Sequence, residues 1–407
     1  MKADIKQTEV GWIPESWDTI NLNNNFTLKA RIGWQGLTVS EYLKTGDYIL
    51  VTGTDFKNGY IDWDNVVFVQ KQRYVQDANI QLQSGDILVT KDGTIGKVAF
   101  ISQLPKPATL NSGVFLIRPT QKDICSKYIY YVLMSFYFDN FLAKITAGST
   151  ITHLYQKDFI HFNLPFPPLL EQKAIAEVLS NTDKWIESLE VLFQKKRRIK
   201  KGIIQELLRP KDGWEVKKLG ELFNITAGGD LAKYPRSDNY SGVFKYEVYS
   251  NSVFNKGLYC YSSEYNSDEN CITVTARGTI GYAVARFEKF LAIGRLLCLK
   301  PKIDLDIRFI SEFINSKLSF ASESTGVPQL TAPQISTYEI NLPPLSEQSQ
   351  IATALSDIDA EIDTISMQLS KAKQIKQGMM QRLLTGQIRL LKHSKSETVK
   401  ILKRVTA

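Results

Sequence analysis

Two stretches of the chain carry mostly apolar residues at seven-residue steps with no proline between them. The first combines the series Ile175, Thr182, Leu189, Lys196, Ile203 with Leu179, Ile186, Phe193, Lys200, Leu207. The second combines Ile351, Ile358, Ile365, Ala372, Met379 with Leu355, Ile362, Leu369, Lys376, Leu383. Two such positions per heptad over about five heptads predict coiled-coil helices. Pro210 and Gly386 stand just past the two ends, where helix stops belong. At 1.5 Å per residue each helix would be roughly 55 Å long. Neither can leave an apolar stripe in water, so the simplest partner for each is the other, antiparallel. A hairpin inside one globular domain is the alternative, and the long intervening segment argues against it. Lys196 and Lys200 fall on the seam, so the last third of the first helix is expected to open toward solvent or a partner.

The chain is also written twice. Pro167-Pro168-Leu169-Leu170-Glu171-Gln172 matches Pro343-Pro344-Leu345-Ser346-Glu347-Gln348, and the match runs on without a gap to Leu207-Leu208 and Leu383-Leu384. Earlier parts correspond more loosely. Gly93-Thr94-Ile95-Gly96 recurs as Gly278-Thr279-Ile280-Gly281, and Phe56-Lys57-Asn58-Gly59 resembles Phe254-Asn255-Lys256-Gly257. Gly11-Trp12 and Gly213-Trp214 are read as the openings of the two halves. The pattern is a variable module followed by a constant one, twice.

The variable modules read as mixed α and β. Segments 47–51, 86–90 and 114–117 are strand-like, rich in branched and aromatic residues and separated by turn residues. Segment 126–142 predicts a buried aromatic helix, with 307–320 in the same place in the second half. The expected fold is α+β: two mixed α/β recognition domains related by pseudo-twofold symmetry and joined by two long antiparallel coiled-coil helices. The expected boundaries are 1–166 and 210–342 for the domains, 167–209 and 343–390 for the helices, and 391–407 for a basic tail.

Composition narrows the function classes. The 407 residues are 43% hydrophobic and 23% charged, with a net charge of +8 that suits a polyanionic partner. Cys125, Cys260, Cys271 and Cys298 are scattered, which predicts buried free thiols in a reducing cytoplasm. No segment approaches the ~20 apolar residues of a membrane helix. The three histidines, His153, His161 and His393, have no ligand spacing. Metalloprotease, nucleophile-elbow, dinucleotide and amino-methyltransferase motifs are absent. Gly93 to Lys97 superficially suggests a phosphate-binding loop. The spacing is wrong, and the second copy has Tyr282 in place of the lysine. A chain of this size without catalytic groupings favours a binding subunit.

The repeated glycine hairpin is the leading candidate for DNA contact. Its residues are Lys91, Gly93, Thr94 and Lys97 in the first copy, and Arg277, Gly278 and Thr279 in the second. Exposed amides, small hydroxyls and cations at a tip can approach phosphate closely. A plain turn needing glycine only for its backbone angles is the competing reading. Further candidates are Ser149, Thr150 and Lys157, Lys29 and Arg31 with Trp34, and Lys233, Arg236 and Arg295. The cluster Lys195-Lys196-Arg197-Arg198, with Lys200 and Lys201, reads as a solvated face, a surface over DNA, or a site for an acidic partner.

Two variable modules, each followed by a Pro-Pro-Leu-x-Glu-Gln helix, resemble the type I restriction-modification specificity subunits. The resemblance covers nearly the whole chain, Gly11 to about Gly386. It implies two target recognition domains, each reading one half of a bipartite asymmetric site in double-stranded DNA. It also implies helices that set the spacer and dock two modification subunits, with Glu171, Gln172, Glu347, Gln348, Lys196 and Lys200 at the partner surface. Two restriction subunits complete such complexes. The chain itself would hold no cofactor; S-adenosylmethionine, ATP and Mg would belong to the partners. A DNA-modifying enzyme with a fused reader and a structural adaptor that never touches DNA are the rival readings.

Overall fold

The computed structural model describes residues 4–33, 36–146, 153–320 and 329–390. The chain divides into two compact units, Met1–Glu190 with Gln368–Ala407, and Val191–Met367. Each unit therefore holds one variable module, the start of one long helix and the end of the other.

The first unit is built on a four-stranded antiparallel sheet. Its spatial order is Val98–Phe100, Ile87–Thr90, Val114–Pro119, Phe26–Ala30. The second unit repeats that order with Ala283–Arg286, Cys271–Val274, Leu297–Pro301, Phe223–Ala227. A second sheet in each unit also repeats. Ala108–Leu110 runs parallel to Tyr48–Val51, as Phe290–Ala292 does to Tyr246–Tyr249. Short two-stranded ribbons, Asp18–Asn21 with Asn163–Phe166 and Glu215–Lys218 with Glu339–Leu342, end each module beside its long helix. The loose sequence matches thus conceal a close topological duplication.

Side chains explain the elements. Ile87, Leu88, Val89, Leu116 and Ile117 are fully buried because helices cover one face of their sheet and the second sheet the other. The aromatic stretch after Cys125 forms two helices, Ser126–Leu133 and Phe136–Thr146, where the sequence predicts one. Ser135 makes the break: its hydroxyl donates to the Val132 carbonyl and accepts from the Tyr137 N–H. The second module keeps a single helix, Ile307–Lys317, capped by Asp306.

The long helices run Leu169–Leu207 and Leu345–Leu384. In the first unit Ile175, Ala176 and Leu179 share a core with Met379, Leu383 and Leu384. In the second, Ile351, Ala352 and Leu355 share one with Leu208, flanked by Ile203, Ile204 and Leu207. Ion pairs fix the antiparallel sense within each unit. Asp183 meets Lys376 at 2.6 Å and Glu190 meets Lys373 at 2.7 Å; Lys200 meets Asp359 at 2.7 Å and Lys196 meets Glu361. Lys196 and Lys200 are therefore tied to the other helix, and the seam does not open there as the sequence suggested.

All four cysteines are free; three are buried and Cys125 is half-buried. No helix among the described residues is long and apolar enough to cross a membrane.

Candidate nucleic-acid interface

In each copy the strand after the hairpin begins only at Val98 and Ala283, which leaves a long tip. A threonine at the base braces it. The Thr90 hydroxyl donates to the Thr94 carbonyl at 2.6 Å and accepts the Lys97 N–H at 2.9 Å. Thr275 does the same with the Thr279 carbonyl and the Tyr282 N–H. The two glycines of each tip have different tasks. Gly93 and Gly278 have positive φ and open space around a would-be Cβ. Gly96 and Gly281 also have positive φ, but a Cβ there would fall on Leu142 and Phe320. Backbone angle is the reason for the first glycine, and close side-chain packing adds to it at the second.

The tips differ in what they show to solvent. In the first, Gly93, Thr94 and Lys97 are exposed, whereas Lys91 is half-buried with its ammonium 5.5 Å from the Phe115 ring centroid. Asp92 bonds His153 at 2.5 Å, and Leu154 donates to the Lys91 carbonyl. In the second, Arg277, Gly278 and Thr279 are exposed, and Arg277 donates to Gln329 at 3.3 Å. Leu330 donates to the Ala276 carbonyl, repeating the Leu154 bond.

Lys29, Lys157, Lys233, Arg236 and Arg295 are all exposed. Lys157 lies on a short helix that Gln156 ties to the Leu28 carbonyl, beside Lys29. Arg295 has φ +70 and its N–H donates to Gly228, in the loop that leads to Lys233. Ser149, Thr150 and Trp34 lie outside the described residues.

Arg31 is a correction. It is 1% exposed, and its Nε donates to the Leu110 carbonyl at 2.8 Å while Nη2 reaches Thr109 at 3.1 Å. Burial pushes this guanidinium below its usual pKa. It pins the end of strand Phe26–Ala30 to the second sheet and has no surface to offer DNA.

The repeated Glu-Gln pair also turns inward, against the expectation that it faces a partner. Glu171 accepts from the Trp17 indole at 3.0 Å and from both Nε and Nη2 of Arg389 at 2.7 and 2.8 Å. Glu347 accepts from Trp214 at 3.2 Å and from Lys211 at 2.9 Å, and the Lys211 bond leads in holding its carboxyl below the usual range. Gln172 accepts the Cys125 N–H and donates to the Pro167 carbonyl; Gln348 accepts the Asp306 N–H and donates to the Pro343 carbonyl. The motif joins helix start, module helix and opening tryptophan. The partner of Trp214 is thus Trp17, not Trp12, which is exposed on the hairpin before it. Sequence reading missed this because a Gly-Trp dipeptide occurs in both halves by coincidence.

In the second unit a groove of about 1080 Å³ lies between the long helices and the module. Arg197, Lys201, Lys256, Thr279 and Arg308 line it, together with Glu312 and Asp359, both bound by Lys200. Among the described residues no group of acidic, cysteine or histidine side chains could hold a metal ion.

A family model described as type I restriction modification DNA specificity domain matches residues 14–201 and again 211–374. The chain belongs to that family. A putative type I restriction enzyme MjaX specificity subunit of Methanocaldococcus jannaschii is 28% identical, over 96% of this chain and 97% of that one. The EcoKI specificity subunit of Escherichia coli is 23% identical, over 89% and 86%. Among solved structures, the type I S subunit of M. genitalium superposes with a TM-score of 0.64 at 18% identity, over 94% of this chain and 99% of that one. A chain of a type I restriction-modification assembly gives 0.55 at 14% identity, over 92% and 99%. The protein is a type I specificity subunit with two recognition modules and long helices, and DNA is its ligand class.

Proposed function

We propose that each module reads one half of a bipartite, asymmetric site in double-stranded DNA, and that the long helices set the spacer and dock the modification subunits. The observation that carries this is the duplicated hairpin. One backbone frame is braced the same way twice, yet it presents Lys91-Asp92 in one copy and Ala276-Arg277 in the other. A shared scaffold with different tips is what two different half-sites require. Exposed Lys97 and Arg277 supply phosphate attraction.

Apolar side chains support docking on the helices. Trp185, Leu192 and Ile199 recur every seven residues on the first helix and are all exposed, outside the seam. A second apolar stripe in water calls for another helix. Adenine methylation and ATP-dependent cleavage then reside in two modification and two restriction subunits, which supply S-adenosylmethionine, ATP and Mg. This chain contributes no catalytic residue. Free thiols accord with a cytoplasmic complex.

The test replaces 227–342 with the corresponding region of a relative and reads the methylated site by sequencing the methylome of a host that also expresses the partners. One half-site should change and the other persist. A change in both halves, or in neither, would overturn modular reading. A complex that assembles but binds every duplex equally would leave the chain as an adaptor.

A further inference from the structure

Phe254 is 82% exposed, the most exposed large apolar side chain among the described residues. It does not sit on a loose loop. Asn255, Lys256 and Gly257 take φ of 45°, 51° and 85°, three left-handed residues in succession. Such a run is costly for residues with side chains and persists only where neighbours enforce it. Several do. Ser250 and Gly257 close the loop by a backbone bond of 2.9 Å, and a Cβ on Gly257 would lie 2.9 Å from the Ser250 carbonyl. The Phe254 N–H donates to the Ser252 hydroxyl at 3.1 Å. Buried Arg286, stacked 3.4 Å from the Tyr249 ring centroid, donates to the Lys256 carbonyl.

Asn251 then ties this loop to two others. Its side-chain oxygen accepts the Ala276 N–H at 2.6 Å, and its amide donates to the Gly294 carbonyl at 2.6 Å. Ala276 precedes Arg277 at the hairpin tip, and Gly294 precedes Arg295. One side chain therefore ties together three loops, which carry the exposed ring of Phe254 and the exposed cations Lys256, Arg277 and Arg295. The first module treats the same letters differently. There Phe56 lies in a strand paired with Ile61 and packs against the core of Leu88 and Ala99. The corresponding ring packs on the core in one copy and stands in solvent in the other.

We propose that Phe254 contacts bases in the half-site of the second module, as an apolar surface set among phosphate-binding cations. This deepens the DNA-reading function above and rests on it. Apolar side chains discriminate base edges, through the thymine methyl above all, or wedge between base steps. A cationic surround holds the backbone on either side and favours DNA over a protein surface as occupant.

The test uses the chain assembled with its modification subunits, wild type and Phe254→Ala. The probes are a duplex carrying the methylated site and one of equal length with the second half-site scrambled. Removal of the ring should weaken the cognate duplex roughly tenfold. Scrambled duplex and salt slope should stay unchanged, since no phosphate contact is lost. Phe254→Leu should restore most of the loss. Because the ring is exposed, the melting temperature should not fall. Unchanged cognate affinity, an equal loss on both duplexes, or loss of subunit assembly would each overturn the assignment. A wild-type assembly that does not discriminate the two duplexes would instead overturn the DNA-reading function itself.

Discussion

Replacing Glu171 and Glu347 by alanine should destabilise the two units unequally, and the difference follows from burial. Glu171 is 2% exposed and accepts three hydrogen bonds, two of them from a guanidinium that is itself mostly covered. Its removal leaves Arg389 without its anion and the Trp17 indole without an acceptor. Truncating one partner of a buried pair costs about 3–5 kcal/mol, and the partial exposure of Arg389 argues for about 3. Glu347 holds one indole and one lysine that is more than half exposed. Solvent screens that pair, so the loss is about 1 kcal/mol. The assay is hydrogen exchange at the ribbon strands Asp18–Asn21 and Glu215–Lys218, which follow the two tryptophans. Local opening free energies convert to exchange rates there. Glu171→Ala should accelerate the first strand by roughly a hundredfold, and Glu347→Ala the second by about fivefold. Equal acceleration, or a larger effect at Glu347, would refute the argument that carboxylate burial sets the cost.

Arg277→Ala and Lys91→Ala should weaken DNA binding by the assembled methyltransferase and flatten its salt dependence by about one unit of slope; affinity titrated against salt checks this, and an unchanged slope in both would return the tips to a structural role. Gly278→Ala should cost about 1 kcal/mol from its positive φ alone, whereas Gly281→Ala adds a Cβ 2.2 Å from the Phe320 ring and should cost about 3 kcal/mol with overpacking included, as thermal melting would show. Lys200→Ala should expose Glu312 to Asp359 without their shared cation. Burial already raises the Glu312 carboxyl above its usual pKa, and Lys200 opposes that rise. A raised folded pKa gives stability that is full below the unfolded value and is lost as pH rises through the folded one. The deficit of Lys200→Ala should therefore be larger in urea unfolding at pH 8 than near pH 4.

The architecture was legible wherever one signal repeated. Seven-residue steps located both long helices, and the gapless Glu-Gln match marked their starts to within a few residues. Hairpins with glycine tips also fell where the turn residues placed them. What sequence could not show was direction. Arg31, Glu171 and Gln172 look like surface chemistry as letters, and only a tertiary partner makes a buried polar group affordable. Lys196 and Lys200 look like gaps in an apolar seam until Glu361 and Asp359 stand opposite. Phe254 is the converse case: its letters match those of half-buried Phe56, and the left-handed run that follows it is invisible in a pattern of hydrophobicity.

The nested order of the two units bears on how the chain comes off the ribosome. Every residue of the second unit, Val191–Met367, is synthesised before the residues that complete the first. Glu171 must wait for Arg389, and Ile175 and Leu179 must wait for Met379 and Leu383. Until then the opening helix of the older half carries an uncovered apolar stripe, although its module has long been made. Domains usually mature from the N-terminus onward during synthesis; here the later half can close first and the earlier half last. A premature stop shortly after Met367 would therefore spare the younger unit and leave the older one unfinished and prone to aggregate.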